Sequence, residues 1–193
     1  MSSIRSLALL ALLCLGFSTP VGAEEPLPKP PEGFTWQRMP PIHGALLRPD
    51  GWFYNEGKQA GTDGFFVTKE DAETGAGFTT GVSVFCVRDI PTRMGKSPTA
   101  YASQYADVVA TKHELLDRSS KLEGPFTAVR FRFVEARPAK DGQESLTKSQ
   151  LIIGNDKTGT AFLVVFQAPT ASWAEAWKTG EVILKRLVFD DGI

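Results

Sequence analysis

Thr127 to Glu135 read TAVRFRFVE, and this stretch decides the fold. Its alternation puts apolar side chains on one side and two arginines, Arg130 and Arg132, on the other. Such alternation with a period of two is typical of a β-strand that buries one face and exposes the other to water. The sequence therefore predicts a half-buried strand with outward-facing arginines.

Two further strands are predicted to follow this one. The pair Asp141-Gly142 is typical of a tight hairpin turn, and Ser145 to Ile153 returns as the partner strand. Turn-forming residues at 155–159 then lead into a third apolar strand, Ala161 to Gln167. We therefore expect an antiparallel meander of three neighbouring strands.

Strands also dominate the region before the meander. Gly81 to Arg88 alternates with apolar residues on both faces, which predicts a central strand covered on two sides. Shorter strand signals lie at Ala45 to Pro49, Gly51 to Tyr54 and Gly64 to Thr68. The sheet should therefore contain more strands than the meander alone.

Two helices are predicted around these strands. Apolar residues at helical spacing indicate one amphipathic helix over about 101 to 117. Ser172 can cap a second helix, in which Trp173, Trp177 and Leu187 share a face. The order of strands, helix, meander and helix predicts an α+β domain, with a mostly antiparallel sheet and helices packed on one side.

The N-terminus has the three parts of a secretory signal peptide. Arg5 precedes an apolar run, Leu7 to Phe17, which is shorter than the roughly 20 residues of a membrane-spanning helix. Small residues before Glu24 predict cleavage after Ala23. We therefore expect residues 1–23 to be removed, and the mature chain to be periplasmic or secreted with no transmembrane segment.

The mature chain is predicted to begin with a proline-rich arm. Residues 24–43 contain six prolines and favour extended conformers. Such an arm is either a spacer or a docking segment that becomes ordered on a partner. The remaining residues, 44–193, have the length of a single domain with a core of its own.

Charge and cysteine content exclude several classes of protein. The chain has a formal net charge of −1 and a pI near 6.1, whereas nucleic-acid binding calls for a basic patch or a high pI. Without the signal peptide, Cys86 is the single cysteine, so no internal disulfide can form. Its position within a strand predicts a buried core residue rather than a reactive thiol.

No catalytic or metal-binding motif is complete. His113-Glu114-Leu115-Leu116-Asp117, expected on the outer face of the first helix, has an aspartate where the zinc-protease pattern needs a second histidine. Gly95-Lys96-Ser97 resembles the end of a phosphate-binding loop, but Ile90 stands where that motif requires glycine. We therefore predict no cofactor, no metal site and no catalytic residue. A hydrolase site assembled in space from scattered residues stays open as an alternative.

Two non-catalytic surfaces remain as candidates. On the meander, Arg130, Arg132 and Lys148 are expected to share an outward face with Gln150. Outward basic groups on neighbouring strands can dock an anionic partner surface. The alternative is a solvated sheet face balanced by Glu135.

The second candidate is an aromatic cluster near the first hairpin. Trp52, Tyr54 and Phe66 lead this cluster, to which Phe53 and Phe65 also belong. Aromatic side chains between a hairpin and helices can line a pocket for a small apolar ligand. Ordinary core packing is the alternative.

The order of the segments resembles the PsbP-like fold family, which includes PsbP and Mog-type proteins and related bacterial envelope proteins. The resemblance covers about 45–190 and is carried by Pro49–Trp52, Phe65–Val67, Val82–Val87, Gly124–Phe126, Phe162–Phe166, Trp173 and Ile183–Leu187. It implies a non-enzymatic binding or assembly role with a protein partner, and it supplies no catalytic motif. The leading hypothesis is therefore an exported, non-enzymatic binding or assembly protein of the cell envelope. The alternative from another class is a carrier of a small apolar ligand.

Overall fold

The computed structural model describes residues 27–59, 61–71, 77–136, 144–190 and 192. Within these residues the chain forms nine strands and three α-helices. The strands are β1 (Phe34–Met39), β2 (Gly44–Pro49), β3 (Phe53–Gln59), β4 (Thr62–Thr68), β5 (Gly81–Val87), β6 (Leu115–Glu123), β7 (Phe126–Glu135), β8 (Leu146–Asn155) and β9 (Thr160–Pro169). The helices are α1 (Ile90–Met94), α2 (Pro98–Ala110) and α3 (Trp173–Leu184).

A seven-stranded antiparallel sheet organises the domain. Its strand order is β3-β4-β5-β9-β8-β7-β6, and β1 and β2 form a separate two-stranded hairpin. The predicted meander is confirmed, because β7, β8 and β9 pair in succession with Arg130 opposite Leu151 and Leu151 opposite Val164. The α+β class with a mostly antiparallel sheet is confirmed as well. The predicted Asp141-Gly142 turn lies outside the described residues.

The sheet is covered on both sides, and we name its two faces after the helices. On the α2 face, Ala102 of α2 packs in one cluster with Phe131 of β7. On the α3 face, α3 and the β1–β2 hairpin contribute Ile183 and Leu46 to a larger core around Phe166. The expectation that the helices pack on one side of the sheet is therefore corrected, because α2 and α3 cover opposite faces.

The first long helix is shorter than predicted. α2 ends at Ala110, and Leu115 already belongs to β6, which pairs with β7. Leu115 still packs into the α2-face core, so an apolar residue interpreted as helical serves a strand instead. The prediction of a helix to residue 117 was wrong because pairing with β7 overrides local helical spacing.

The predicted arm is folded from Phe34 onward. Phe34–Met39 pairs along its whole length with β2, and Pro40–Ile42 forms a 3-10 turn. Met39 and Ile42 are fully buried in the α3-face core. The structured chain therefore starts before residue 44, because the alternating stretch FTWQRM forms a strand within the proline-rich region. The predicted signal peptide, 1–23, lies outside the described residues.

The last helix begins where predicted but without the predicted cap. α3 starts at Trp173 after a 3-10 turn, and Ser172 makes no side-chain capping bond to it. The helix ends at Leu184, so Leu187 lies in the segment beyond it. None of the helices among the described residues combines the length and the apolar character that a membrane span requires.

Candidate functional site

Two grooves open on opposite faces of the sheet, and the first has a volume of about 540 Å³ on the α3 face. We call it the Arg130 groove. Its floor consists of Ala128 of β7 with Leu151 and Ile153 of β8, and its opposite wall includes Leu187 and Phe189. It is therefore an apolar groove between the outer strands of the sheet and the segment that follows α3.

The wall of this groove is held by the C-terminal segment. Val188 and Ala45 of β2 exchange two backbone hydrogen bonds, with N–O distances of 2.9 and 3.0 Å. Next to this bridge, the Phe189 ring stacks on Phe162 of β9 with centroids 4.3 Å apart. The segment after α3 is thereby fixed against the core, so the groove has a defined shape on this side.

Arg130 supplies a positive charge to the groove. Its exposed side chain lines the apolar floor, and it makes no ion pair or side-chain hydrogen bond to any described residue. The other two basic residues of the groove are paired, Lys121 with Glu123 and Lys185 with Glu181. A guanidinium beside an apolar floor can bind a carboxylate in bidentate geometry.

The predicted basic surface is divided between the two faces. Arg132 lies on the α3 face with Arg130, where its guanidinium is 2.8 Å from the Asp117 carboxylate. Lys148 is opposite Phe133 in the register and therefore projects from the α2 face, where it pairs with Glu135 at 2.9 Å. The expectation that all three basic residues share one face is corrected by this register.

The predicted aromatic cluster is divided in the same way. Tyr54 pairs with Val67 in the register, whereas Phe66 pairs with Asn55, so the two rings project from opposite faces. Trp52 and Tyr54 pack against the α3-face core. These aromatic residues therefore do not line one pocket.

Tyr54 has a structural role at the edge of that core. Its hydroxyl donates a hydrogen bond to the Glu56 carboxylate at 2.5 Å and lies 3.3 Å from the carbonyl oxygen of Arg38. Burial, followed by the hydrogen bond to Glu56, raises the pKa of Tyr54 well above its usual range. The hydroxyl thus stays protonated and links β3 to β1.

Phe66 instead lines the second groove, on the α2 face, which has a volume of about 580 Å³. We call it the Phe66 groove. The Phe66 ring meets Phe85 of β5 edge-on at 5.6 Å, and Gly57 and Gly64 leave space beside the rings. The groove stays open because α2 packs on β7, β8 and β9 and not on β3 and β4. The sequence analysis did not single out Phe85, although it predicted that the strand Gly81 to Arg88 has apolar residues on both faces.

The nucleophile and metal candidates have structural roles. Cys86 is fully buried, as predicted, and burial raises the pKa of its thiol to about 11, which suppresses the thiolate. His113 follows α2 rather than lying on it, and its ring packs against Phe133 in a tilted arrangement with centroids 4.5 Å apart. No group of three or more metal-ligating side chains comes together within the described part of the chain.

A partly buried ion pair, with a buried carboxylate, stabilises the sheet next to Cys86. The Asp63 carboxylate accepts a hydrogen bond from Arg88 and lies 3.3 Å from the Lys58 ammonium group. Arg88 also donates to the carbonyl oxygen of Pro41 at 2.6 Å, which links β4 and β5 to the turn after β1. The Arg88 hydrogen bond holds the pKa of Asp63 below its usual range. All of these contacts are internal, so this pair is structural.

Comparison with known proteins shows the fold. No family model and no curated protein matches the sequence. The solution structure of cyanobacterial PsbP (CyanoP) from Synechocystis sp. PCC 6803 is similar with a TM-score of 0.52 at 12% identity, covering 91% of this chain and 99% of that one. The chain therefore has the PsbP-like fold that the sequence resemblance predicted.

Two further solved structures are similar at lower scores. The Ran-binding protein Mog1p of Saccharomyces cerevisiae has a TM-score of 0.47 at 11% identity, covering 80% of this chain and 94% of that one. LpqN of Mycobacterium tuberculosis, involved in cell envelope biogenesis, has a TM-score of 0.42 at 12% identity, with coverage of 86% and 83%. At such identities the likeness concerns the fold alone.

Proposed function

We propose that this protein is an exported, non-enzymatic binding protein of the cell envelope that holds a segment of a protein partner in the Arg130 groove. The observation that carries the proposal is the exposed Arg130 side chain, which lies beside an apolar floor and has no ion-pair partner among the described residues. The signal-peptide pattern at residues 1–23 supports the export. The PsbP-like fold is compatible with this role, but a fold alone does not assign a function.

The chemistry of the groove defines the partner segment. Ala128, Leu151 and Ile153 offer an apolar floor, which favours apolar side chains. Arg130 favours a carboxylate among them, and arginines of this kind are often the residues that dominate binding energy. The segment is therefore expected to combine an aspartate or glutamate with neighbouring apolar residues.

Reversal of the charge at Arg130 is expected to break this association. Arg130→Glu brings a carboxylate against that of the partner, and we expect at least about tenfold weaker binding. Native mass spectrometry of residues 24–193, purified gently from the envelope of the host, identifies the partner. Calorimetry with the purified partner then measures the affinities of the wild type and the variant.

Lys112→Glu is the matched control for this experiment. Lys112 is an exposed basic residue that follows α2, away from the Arg130 groove. Its charge reversal changes the net charge by the same amount, so it should leave the affinity unchanged. Equal affinities for Arg130→Glu and the wild type would refute binding in the Arg130 groove.

A second candidate function is the carriage of a small apolar ligand. The Phe66 groove favours it, because two aromatic rings and two glycines form an apolar surface of ligand size. This candidate depends on Phe66 alone among the three aromatic residues first proposed, since Trp52 and Tyr54 belong to the core on the other face.

Phe66→Ala is expected to abolish retention of such a ligand. In native mass spectra, a small-molecule mass should accompany the wild type and be lost from the variant, since the variant removes half of the aromatic surface. Phe53→Ala is the control, because Phe53 of β3 is a second aromatic residue on the α2 face, exposed and outside the lining of the groove. A ligand that survives Phe66→Ala would rule out this site.

A further inference from the structure

Strand β6 is an exposed edge of the large sheet. It comprises nine residues, Leu115–Glu123, and all but the first are exposed. It stands at the end of the strand order, and no strand beyond it occurs in the described part of the chain. Alternate backbone N–H and C=O groups of β6 therefore point away from β7, as a template for another strand.

Two leucines on this strand are unusually exposed. Leu122 and Leu116 have 73% and 55% of their surface exposed, more than any other large apolar residue that the structure describes. Edge strands of monomers are normally protected by like charges, by proline or by a covering element, whereas the four charged residues of β6 are two acidic and two basic and can pair with another strand. Exposed apolar residues on an open edge indicate a surface that is covered by a partner.

The sequence of β6 is complementary to itself in the antiparallel direction. When Ser119 is placed opposite Ser119 of a second copy, Leu116 lies opposite Leu122, and Asp117 lies opposite Lys121. Each pair occurs twice because of the twofold symmetry. Apolar pairs and pairs of opposite charge across strands stabilise a sheet, and a twofold interface requires such self-complementarity.

Symmetry and charge together select this register. A twofold axis perpendicular to the sheet requires some residue of β6 to lie opposite itself. Centring on Arg118 or Lys121 would oppose two like charges directly, and centring on Ser120 would oppose Asp117 and Glu123. Among the four positions from 118 to 121, which allow most of the strand to pair, Ser119 alone avoids these repulsions. A bulge at Leu116 interrupts the pairing with β7, whereas Asp117 to Glu123 pair regularly and include this centre, so Leu116 meets Leu122 at the irregular end of the strand.

We propose that the protein docks a second copy of itself through β6, and that the two sheets join edge to edge about an axis at Ser119. The perpendicular axis keeps equivalent faces on the same side of the joined sheet. Ser119 and Lys121 line the Arg130 groove, so the grooves of the two copies meet at the axis. This proposal does not depend on the identity of the partner in that groove.

The first test is the mass of the mature chain in solution. Sedimentation of residues 24–193 across the micromolar range should show a dimer in reversible exchange with the monomer. Leu122→Lys places a charge opposite Leu116 in both halves of the interface, and we expect its dimer dissociation constant to rise at least about tenfold. A monomeric wild type throughout that range would overturn the proposal.

Val108→Lys is the matched control for the leucine variant. Val108 is also an exposed apolar residue, with 48% of its surface exposed, but it lies on α2. The dimer dissociation constant of Val108→Lys should equal that of the wild type. Equal dimer constants for Leu122→Lys and Val108→Lys would also overturn the proposal, provided that both variants unfold at the wild-type urea midpoint.

A cysteine at the axis tests the register itself. Ser119→Cys should form a disulfide between two copies under mild oxidation, because residue 119 faces its own equivalent. Ser120→Cys should not, since its equivalent lies diagonally across the strands and too far away for a disulfide bond. Cys86 is fully buried and does not compete. Equal cross-linking at both positions would refute the Ser119 register.

Leu122→Lys separates this proposal from the proposed function. Leu122 does not line the Arg130 groove, so the variant should weaken the dimer while it leaves partner binding unchanged. A dimer without partner binding would support self-docking and refute the function proposed for the groove. A monomer that binds its partner through Arg130 would refute self-docking and support the function proposed for the groove.

Discussion

Gly154→Ala is expected to lower the free energy of unfolding by about 3 kcal/mol, the upper part of the range for overpacked cores. Gly154 lies on β8, where the first turn of α2 crosses the sheet. A Cβ atom there would lie 2.6 Å from the carbonyl carbon of Pro98 and 2.7 Å from its oxygen. Both are backbone atoms, so no side-chain rotation can relieve the clash.

The helix cannot move away from this clash without further cost. The backbone N–H of Thr99 donates to Asp156 at 2.8 Å, and its hydroxyl bonds to that of Thr127 at 2.9 Å. Lifting the first turn of α2 would break both hydrogen bonds and open the α2-face core. The clash between the new Cβ atom and Pro98 should therefore be relieved only by a shift of the whole helix.

Urea unfolding of Gly154→Ala and Gly57→Ala measures the effect against a matched strand glycine. A Cβ at Gly57 would meet only the Phe66 ring, at 3.8 Å, which is ordinary contact. Gly57→Ala is therefore expected to stay within about 0.5 kcal/mol of the wild type. Equal losses for the two variants would contradict the account of Pro98 as a backbone barrier.

Asp63→Asn is expected to cost about 2 kcal/mol at pH 7, because it leaves the Arg88 guanidinium without its buried counter-charge. Asp63 has 6% of its surface exposed. The side chain of Arg88 is 33% exposed, so solvent screens part of the loss. Removal of one partner from a fully buried pair would cost more.

The loss of stability in Asp63→Asn should disappear in acid. This direction follows from the lowered pKa of Asp63 in the folded state. A carboxylate whose pKa is lower in the folded state stabilises the protein above its unfolded-state value of about 3.9. That stability is lost as the pH falls through the folded-state pKa. Urea unfolding at pH 7 and at pH 3 should therefore show a smaller difference between the wild type and Asp63→Asn in acid.

Asp107→Asn is the control for this prediction. Asp107 pairs with Arg118 at 2.7 Å, and the two side chains are exposed to 63% and 40%. Exposed pairs of this kind contribute little, so we expect a loss below about 0.5 kcal/mol at pH 7. If both substitutions had the same effect, the burial of Asp63 would not explain its contribution.

The strands with strong alternation were predictable from the sequence. The predicted strand Thr127 to Glu135 differs from β7 by a single residue at its start, and Ala161 to Gln167 lies within β9. One face of each strand packs against the core, so apolar residues recur at every second position of its sequence. The order of the strands in the meander was predictable as well, because short turns join neighbouring antiparallel strands.

β6 and β1 were not predictable in the same way. β6 is exposed along almost all of its length, so no buried face imposed a period on LLDRSSKLE. β1 does alternate, but it stands between prolines whose composition favours an extended arm. Both strands are defined by their partners, β7 and β2, rather than by their own sequences.

The residues of each candidate surface are divided between the two faces of the sheet for one shared physical reason. Arg132 lies opposite Ser149, so the even-numbered residues of β7 share a face with the odd-numbered residues of β8. Tyr54 lies opposite Val67, which sets the same relation between β3 and β4. A shift of register by one residue moves every side chain to the other face, and local sequence does not specify that shift. Arg130 and Arg132 were grouped correctly because they belong to one strand.

The order of the strands also determines when this protein can finish folding. β9 inserts between β5 and β8, and the bridge between Ala45 and Val188 joins positions near the two ends of the domain. Pairings between residues so distant in sequence make folding slow, because a long loop must close before they form. The sheet therefore closes only after the C-terminal segment is available. Such late closure would suit the proposed export, in which the chain crosses a membrane before it folds.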